Sequence, residues 1–550
     1  MSHALGIDLG TGASRAAVVD CTRGAMIGLG SADYPSGSGG VLYDPARPML
    51  ARQHPGDYAL AIEQAVTAAL AAARDTTPGF DPAAIIGIGV DATASTPVPV
   101  DAKLRPLALD PAYAGNLDAM SWLWKDHEAH AEADEITSLL KAQDPERLAR
   151  VGNAYSSEWY WAKLLRCARV APGVFAATAS WVELSDLIPA WLCGIDCADR
   201  IVRGIGAAGH KGLYAPSLGG WPALDLLRQL DPRLSLPLGR VAESGMVAGL
   251  LDPVVAARLG LAPGTPVSVG GIDAHVGAIG AGVRPGRLVK IMGTSCCDIT
   301  VGAPGGALPA IDGISGVVAG SVLPRHDGLE AGQAAIGDLY GWAASLGEGH
   351  VALSAEAAAL APGESGLVAL DWNNGNRCVL GDTRLTGLIL GQTLRTTPAE
   401  IYRAMIEATA FGARKIIARI EQGGVTIDDV VMCGGVSERN PLVPRIFSDV
   451  LERPIGLAAS TETCALGAAI FGAVCGGMHP DVPTAQAAMV PPIAMTFTPN
   501  PAAAYAYRQL GAVYDRLHES FGLGALTDVM PALGQLRDSV RSTPQETPHG

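Results

Sequence analysis

Apolar and polar positions along the chain switch repeatedly between strand and helix periods. Leu5-Gly6-Ile7-Asp8 and Ala16-Ala17-Val18-Val19-Asp20 flank Gly10-Thr11-Gly12, which predicts two short strands joined by a glycine-rich hairpin turn. Ile62, Val66, Ala69, Leu70 and Ala73 then recur on one helical face over 57–74, and a strand from Ile85 to Val90 follows, ending at Asp91. A helix is expected from about Ala119 to Lys141, and an irregular stretch between Gly194 and Pro222. The apolar run Val267 to Val269 stops at Gly270-Gly271, and a second hairpin-like segment covers Leu288 to Ser295. Pro398 opens a long helix with Ile401, Met405, Ala408, Phe411 and Ile416 near one face, stopped by Gly423-Gly424. A strand from Val430 to Cys433 leads into Gly434-Gly435, one helix begins near Asn440, and another holds Ala465 to Val474. Such alternation is an α/β pattern.

Length adds a division. At 550 residues the chain exceeds what one core serves, and the boundary is placed near 255–285, giving an N-terminal domain 1–275 and a C-terminal domain 276–530. Residues 531–550 are read as a polar tail without order. The net charge of -15 and pI near 5.2 leave no basic footprint for nucleic acid or an anionic membrane. No uninterrupted apolar run approaches the roughly 18 residues of a spanning helix. The N-terminus lacks the basic start of a signal peptide, so a cytoplasmic location is expected. The ten cysteines are scattered, with Cys193/Cys197 and Cys296/Cys297 lacking a second pair at zinc-ligand spacing, and read as reduced thiols, mostly buried.

The candidate chemistry lies where strands meet glycines. In Gly270-Gly271-Ile272-Asp273-Ala274-His275, paired glycines admit an anionic ligand to the backbone, and Asp273 is a base, a metal anchor or an ordinary helix cap. Three other turns need a common explanation: Asp8-Leu9-Gly10-Thr11-Gly12, Gly293-Thr294-Ser295 and Gly434-Gly435 running to Asn440. Together they supply backbone N–H donors, hydroxyls and a carboxylate, the groups that a nucleoside triphosphate with hydrated Mg²⁺ requires. None has the spacing of a P-loop or of a dinucleotide fingerprint, and each alone is compatible with a structural turn.

The order of these turns resembles the FGGY family of carbohydrate kinases over roughly residues 4 to 520. The resemblance implies a duplicated RNase H-like, actin-like ATPase fold with ATP and sugar in the cleft between two domains. It implies ATP and Mg²⁺ as cofactors, with Asp8 facing the metal through water and Gly10, Thr11, Gly12 and Thr294 on the phosphate side. Gly337, Gly434, Gly435 and Asn440 would line the adenosine end, and Asp273 would deprotonate the sugar hydroxyl. Phosphoryl transfer through a loose transition state asks the protein for positioning, charge neutralisation and one proton acceptor, so an aspartate suffices.

Further segments narrow the sugar. Val90 to Asp101, Leu123-Trp124-Lys125-Asp126-His127, Tyr155 to Trp159, Ala208-Gly209-His210-Lys211, Gly328 to Gln333 and Asp371 to Gly375 are most similar to the branch that phosphorylates L-ribulose at its 5-hydroxyl. His127 stands where other branches carry arginine. By that resemblance Ala94, Lys211, Asp273 and Glu330 would contact the ketopentose, with Asp126 and His127 nearby. Read alone, Lys211 is a solvated lysine, Glu330 a salt-bridge partner and His127 part of a solvated charged run. Trp122, Trp124, Trp159 and Trp161 are candidates for stacking on a sugar, with core packing expected for at least two. The segment after Trp372 and the short insert over 348–367 depart from the branch pattern and bear on loops and assembly. The resemblance leaves oligomeric state open, a homodimer being one arrangement. Kinases of D-ribulose, ribitol or xylulose are the near alternatives, and a non-catalytic actin-like ATPase or sugar sensor is the distant one.

Overall fold

In the computed structural model, which describes residues 2–234 and 238–542, the first hairpin forms as strands His3–Leu9 and Ala13–Asp20, paired antiparallel with Leu9 opposite Ser14. The strand Ile85–Ala92 runs parallel to His3–Leu9 with Asp8 in register with Asp91. The sheet continues in the order Val247–Leu250, Pro266–Ser268, Ile85–Ala92, His3–Leu9, Ala13–Asp20, Met26–Asp33, and Gly271–Ile272 also pairs with Ile85–Ala92. Leu5, Ile7, Val18, Ile88 and Val90 form a core with Ile62, Val66, Ala69 and Leu70 of helix Gly56–Thr76, the face that the helical periodicity predicts.

The other face of this sheet is covered by a helix from far along the chain. A Cβ at Gly6 would overlap the Ala465 carbonyl, one at Gly87 the Gly472 carbonyl and one at Gly89 the Ala468 carbonyl, so helix Thr463–Cys475 lies directly on the strand backbones. This packing explains why the structure does not divide into two contiguous halves. One compact unit comprises Met1–Val289, Ile299–Glu330 and Ala458–Pro492, and the other Lys290–Asp298, Ala331–Leu457 and Ile493–Gly550.

In the second unit, Thr397 caps helix Pro398–Gln422 in a reciprocal capping box with Glu400, Pro398 fills the first turn, and Gly423 ends it. Strand Ile427–Cys433 pairs parallel with Ile455–Leu457, which pairs antiparallel with Met495–Phe497. A buried polar chain fixes its interior. Lys290 Nζ donates to Asp298 at 2.6 Å and to Gln333 at 3.2 Å, Gln333 donates to Asp371 at 2.7 Å, and Tyr514 donates to Asp371 at 3.0 Å.

Three expectations are corrected. The helix placed over Ala119 to Lys141 is confined to His130–Gln143, because Ser121–Trp122 pairs as a strand with Arg52 and Gln53. The stretch after Gly194 is partly regular, with strand Val202–Gly204 and helix Ile205–His210. The first part of the proposed disordered tail is helix Val529–Ser542, in which Leu533, Leu536 and Val540 repeat at helical spacing; the remainder, 543–550, lies outside the described residues. All ten cysteines are thiols outside any disulfide, and none is exposed. Among the described residues no helix is long and apolar enough to cross a membrane.

Candidate active site

Three carboxylates hang from the carboxyl ends of neighbouring parallel strands in the first unit, where open α/β sheets bind ligands. Asp8 ends the first strand, Asp91 is its in-register neighbour, and Asp273 follows Gly271–Ile272, whose Gly271 is in register with Asp91. Asp8 is buried and accepts from Arg15 Nη1 at 3.2 Å, and Arg15 also lies 3.6 Å from Glu462. Gly10, Thr11 and Gly12 stay partly exposed above it. Their turn is fixed from below, by Gln53 Nε2 on the Thr11 carbonyl at 2.7 Å and by Trp124 Nε1 on Thr11 Oγ1 at 3.0 Å.

Asp273 is the first residue of helix Asp273–Gly280, and its Oδ1 accepts from the Ala274 N–H at 2.7 Å. The helix-cap reading is corrected: Ile272 is the N-cap, no side chain caps the helix, and Asp273 binds only the neighbouring N–H. Burial, and then the charge of Asp8, push the Asp273 carboxyl up to about 7, against the Ala274 hydrogen bond and the Lys211 ammonium. A half-buried carboxylate that titrates near neutrality has the basicity of a proton acceptor. Asp91 is fully buried, and no N–H or O–H donor among the described residues reaches its oxygens, which face the Asp8 carboxylate. Burial first, then the charge of Asp8 and the side-chain hydrogen bond with it, and then the charge of Asp273, push it well above the usual carboxylate range.

Beside them lies a polar cradle. Lys211 Nζ donates to Glu330 Oε1 at 2.6 Å, and His275 Nε2 lies 3.1 Å from Glu330 Oε2. His275 Nδ1 is 3.2 Å from the Ser321 carbonyl, and His210 Nε2 is 3.0 Å from Ser321 Oγ. Burial opposes ionisation of Glu330, but the charge of Lys211 and the contact with His275 outweigh it and hold the carboxyl well below its ordinary range. Burial keeps His210 neutral by lowering it well below the ordinary imidazole value. Lys211 also lies 5.4 Å from the ring centre of Trp159, a cation–π contact that orients its stem. The cradle thus offers a fixed ammonium and a fixed carboxylate, the donor and acceptor pair that hydroxyl recognition needs.

Ala94 is the one partly exposed residue of the loop Thr93–Thr96, and that loop is tied down from beneath. Ser95 has φ +56, Thr93 and Thr96 hydroxyls lie 3.0 Å apart, and the Thr96 N–H donates to Glu183 at 2.9 Å. The fully buried Lys163 ammonium donates to the carbonyls of Ser95, Leu123 and Trp122 at 2.6, 2.8 and 3.3 Å. Burial lowers Lys163 to about 7 and raises Glu183 to about 7.

The two second candidates near the sugar, Asp126 and His127, already have protein partners. Asp126 is fully buried, ion-paired with Arg52, and accepts from the Ala51 N–H at 2.8 Å. His127 lies 3.8 Å from Glu158 and stacks on His130 with ring centres 6.1 Å apart. Trp122 and Trp161 are core residues, as expected for two of the four.

In the second unit the remaining glycine turns converge. Thr294 is exposed, its carbonyl accepts from the Ile336 N–H at 2.8 Å, and Gly337 N–H donates to the Gly293 carbonyl at 3.0 Å. Gly434, with φ +94, leaves no room for a methyl, since a Cβ would lie 2.6 Å from the Met292 carbonyl. Asn440 Nδ2 donates to Ser354 Oγ at 2.8 Å and to Tyr402 at 3.2 Å, which locks its side chain. Thr294, Gly337, Gly434 and Gly435 thus form one partly exposed floor of backbone and hydroxyl groups.

Missed by sequence reasoning are Asp91, His210, His275, Lys163 and Glu183. Asp91 carried a signal: like Asp8, it ends an apolar strand.

The architecture is that of the actin-like ATPases, with the glycine turns and carboxylates at the strand ends of two sheet-containing units. The chain belongs to the FGGY family of carbohydrate kinases, matching the N-terminal domain over residues 3–280 and the C-terminal domain over residues 288–475. It is 38% identical to ribulokinase of Geobacillus thermodenitrificans over 98% of both chains, and 38% identical to ribulokinase of Mycolicibacterium smegmatis over 94% of both. Among solved structures it resembles a xylulose kinase from Rhodospirillum rubrum, with TM-score 0.75 and 25% identity over 94% of this chain and 99% of that one.

Proposed function

We propose that the protein transfers the γ-phosphoryl group of ATP to the 5-hydroxyl of L-ribulose, forming L-ribulose 5-phosphate. The observation that carries the chemistry is Asp273, a carboxyl held near pH 7 beside the Lys211–Glu330 cradle. The observation that favours this sugar is end-to-end similarity to ribulokinases. In this reading Lys211 donates to a sugar oxygen, Glu330 accepts from a sugar hydroxyl, and Ala94 borders the pocket. Asp273 takes the proton from the 5-hydroxyl as its oxygen attacks phosphorus and the bond to ADP breaks. Gly10, Thr11, Gly12 and Thr294 serve the phosphates; Gly337, Gly434, Gly435 and Asn440 serve the adenosine.

Mg²⁺ fits this chain: Asp8 and Asp91 each offer a hard carboxylate oxygen, and these oxygens lie within 4.8 Å of one another. When bound, the ion would neutralise charge on the transferring phosphoryl group. Arg15 keeps Asp8 in place.

A second reading, phosphorylation of xylulose or another pentulose, is favoured by the structural likeness to xylulose kinase. A panel of L-ribulose, D-ribulose, D-xylulose and ribitol with Mg-ATP, followed by ADP release and product mass, separates the two. The proposal fails if no pentulose is phosphorylated above the level of an Asp273→Asn variant.

A further inference from the structure

A cavity of about 110 Å³ lies in the first unit, bordered by the turn Leu213 to Ser217 and by strand Gly316–Ala319. One arginine fixes its walls. Arg147 is buried and donates to the Leu213, Gly220 and Leu218 carbonyls at 2.7, 2.7 and 3.0 Å and to Asp144 at 2.8 Å. The strand is held by its Val317 N–H, which donates to the Arg150 carbonyl at 3.0 Å. The cavity is distinct from the sugar cradle: Asp327, on its lining, and Glu330 stand three residues apart on one strand, so their side chains leave opposite faces.

Two charged groups on the lining are uncommitted. Arg150 is half-buried and makes no side-chain hydrogen bond or ion pair among the described residues, and its Nε is cut off from water without an acceptor. Asp327 is buried, accepts from the Leu308 N–H through Oδ2 at 2.6 Å, and forms an ion pair with no described residue. The two therefore do not pair with each other.

Opposite charges on one small lining constrain what can fill it. An anion alone would meet the Asp327 carboxylate, and a cation alone the Arg150 guanidinium, each a repulsion in a space with little water to screen it. A zwitterion satisfies both. Val151, Leu213, Pro216, Val317 and Ala319 add apolar surface, which suits a short aliphatic side chain. The volume equals that of about four waters, which leaves no room for a large one.

We propose that this cavity binds a free α-amino acid with a small apolar side chain, its carboxylate received by Arg150 and its ammonium by Asp327. Gly209, two residues before Lys211, also borders the cavity, so the ligand sits against the helix that leads into the cradle. Such a ligand is neither sugar nor nucleotide, and the inference does not draw on the kinase reading.

The test is a comparison of whole and truncated ligands. L-alanine and L-valine are titrated into the purified full-length chain by calorimetry, beside propionate and isovalerate, which lack the ammonium, and ethylamine and isobutylamine, which lack the carboxylate. At least one amino acid is expected to bind at one site per chain, tenfold or more tighter than both of its truncated counterparts. Arg150→Gln and Asp327→Asn are each expected to weaken it tenfold or more. No binding by either amino acid, a truncated counterpart binding within tenfold of it, or wild-type affinity in either folded variant overturns the proposal. Should a variant fail to fold by circular dichroism, a crystal soaked with the amino acid decides. A carboxylate on Arg150 and an ammonium on Asp327 support the proposal, and a ligand elsewhere, or none, overturns it.

Discussion

Lys211 Nζ meets Glu330 Oε1 at 2.6 Å although 119 residues separate them in the chain. The ammonium ends helix Ile205–His210, and the carboxylate stands on strand Asp327–Gln333, opposite Gly316. Both side chains are largely buried, so each needs the other when the pocket is empty. Lys211→Met is expected to leave Glu330 without its ammonium partner, with only the His275 contact remaining, and to cost about 3 kcal/mol in stability. Lys211→Met/Glu330→Gln should recover most of that loss in urea unfolding while both variants keep a raised KM for the sugar. Additive stability losses would show that the pair is not coupled.

Asp273 gives a pH dependence with a defined sign. Its base form is lost as pH falls through about 7, so kcat/KM is expected to fall on the acid side of that value, with burial first and then Asp8, the Ala274 N–H, Glu330 and Lys211 setting the midpoint. Asp273→Asn should lower kcat by about 100- to 10,000-fold, the range of general-base contributions. The same shift acts on stability. Between the ordinary value of 3.8 and about 7 the folded chain binds more protons at Asp273 than the unfolded chain, so stability is lost as pH rises through 7. The melting temperature of Asp273→Asn should therefore gain on wild type from pH 5 to pH 8. A gap that stays constant would mean that Asp273 has an ordinary pKa.

Lys163 positions the pocket without touching the sugar. Its three carbonyl contacts hold Ser95 in a left-handed conformation next to Ala94. Lys163→Met removes the donor, leaves Glu183 without its counter-charge, and is expected to cost about 3 kcal/mol. In the surviving folded fraction, the KM for the sugar should rise more than the KM for ATP. Equal changes in both would indicate general loosening instead.

How far the sequence reads through to the site depends on the range of each interaction. Strand ends, glycine turns and the Pro398–Gln422 helix are legible because their causes are local: periodicity, capping and glycine placement. Lys211 and Glu330 are legible only through a family pattern, since nothing near either residue announces a partner so far along the chain. His210 and His275 escape for the same reason, meeting Ser321 and Glu330 at separations of 111 and 55 residues. Asp126 illustrates the converse situation. Its motif places it near the sugar, yet the Arg52 that claims it lies 74 residues earlier, in a strand whose polarity gives no hint of full burial. The unit division is illegible because helix Thr463–Cys475 joins a sheet built almost wholly from the first 270 residues through contacts that only glycine permits.

Gly434 tests the nucleotide side in isolation. Its φ of +94 lies in the region that favours glycine, and a Cβ there would also press on the Met292 carbonyl at 2.6 Å. Gly434→Ala therefore has to move either the turn or the strand beneath it, at a strain of about 1–3 kcal/mol. Because the Gly293–Thr294 turn and Gly337 share that floor, the movement reaches Thr294 and Gly337, two of the groups assigned to ATP. The expected result is a KM for ATP raised about tenfold, corresponding to about 1.4 kcal/mol of that strain, with the KM for L-ribulose unchanged. A variant in which the sugar KM moves and the ATP KM does not would reverse the assignment of the two ends of the site.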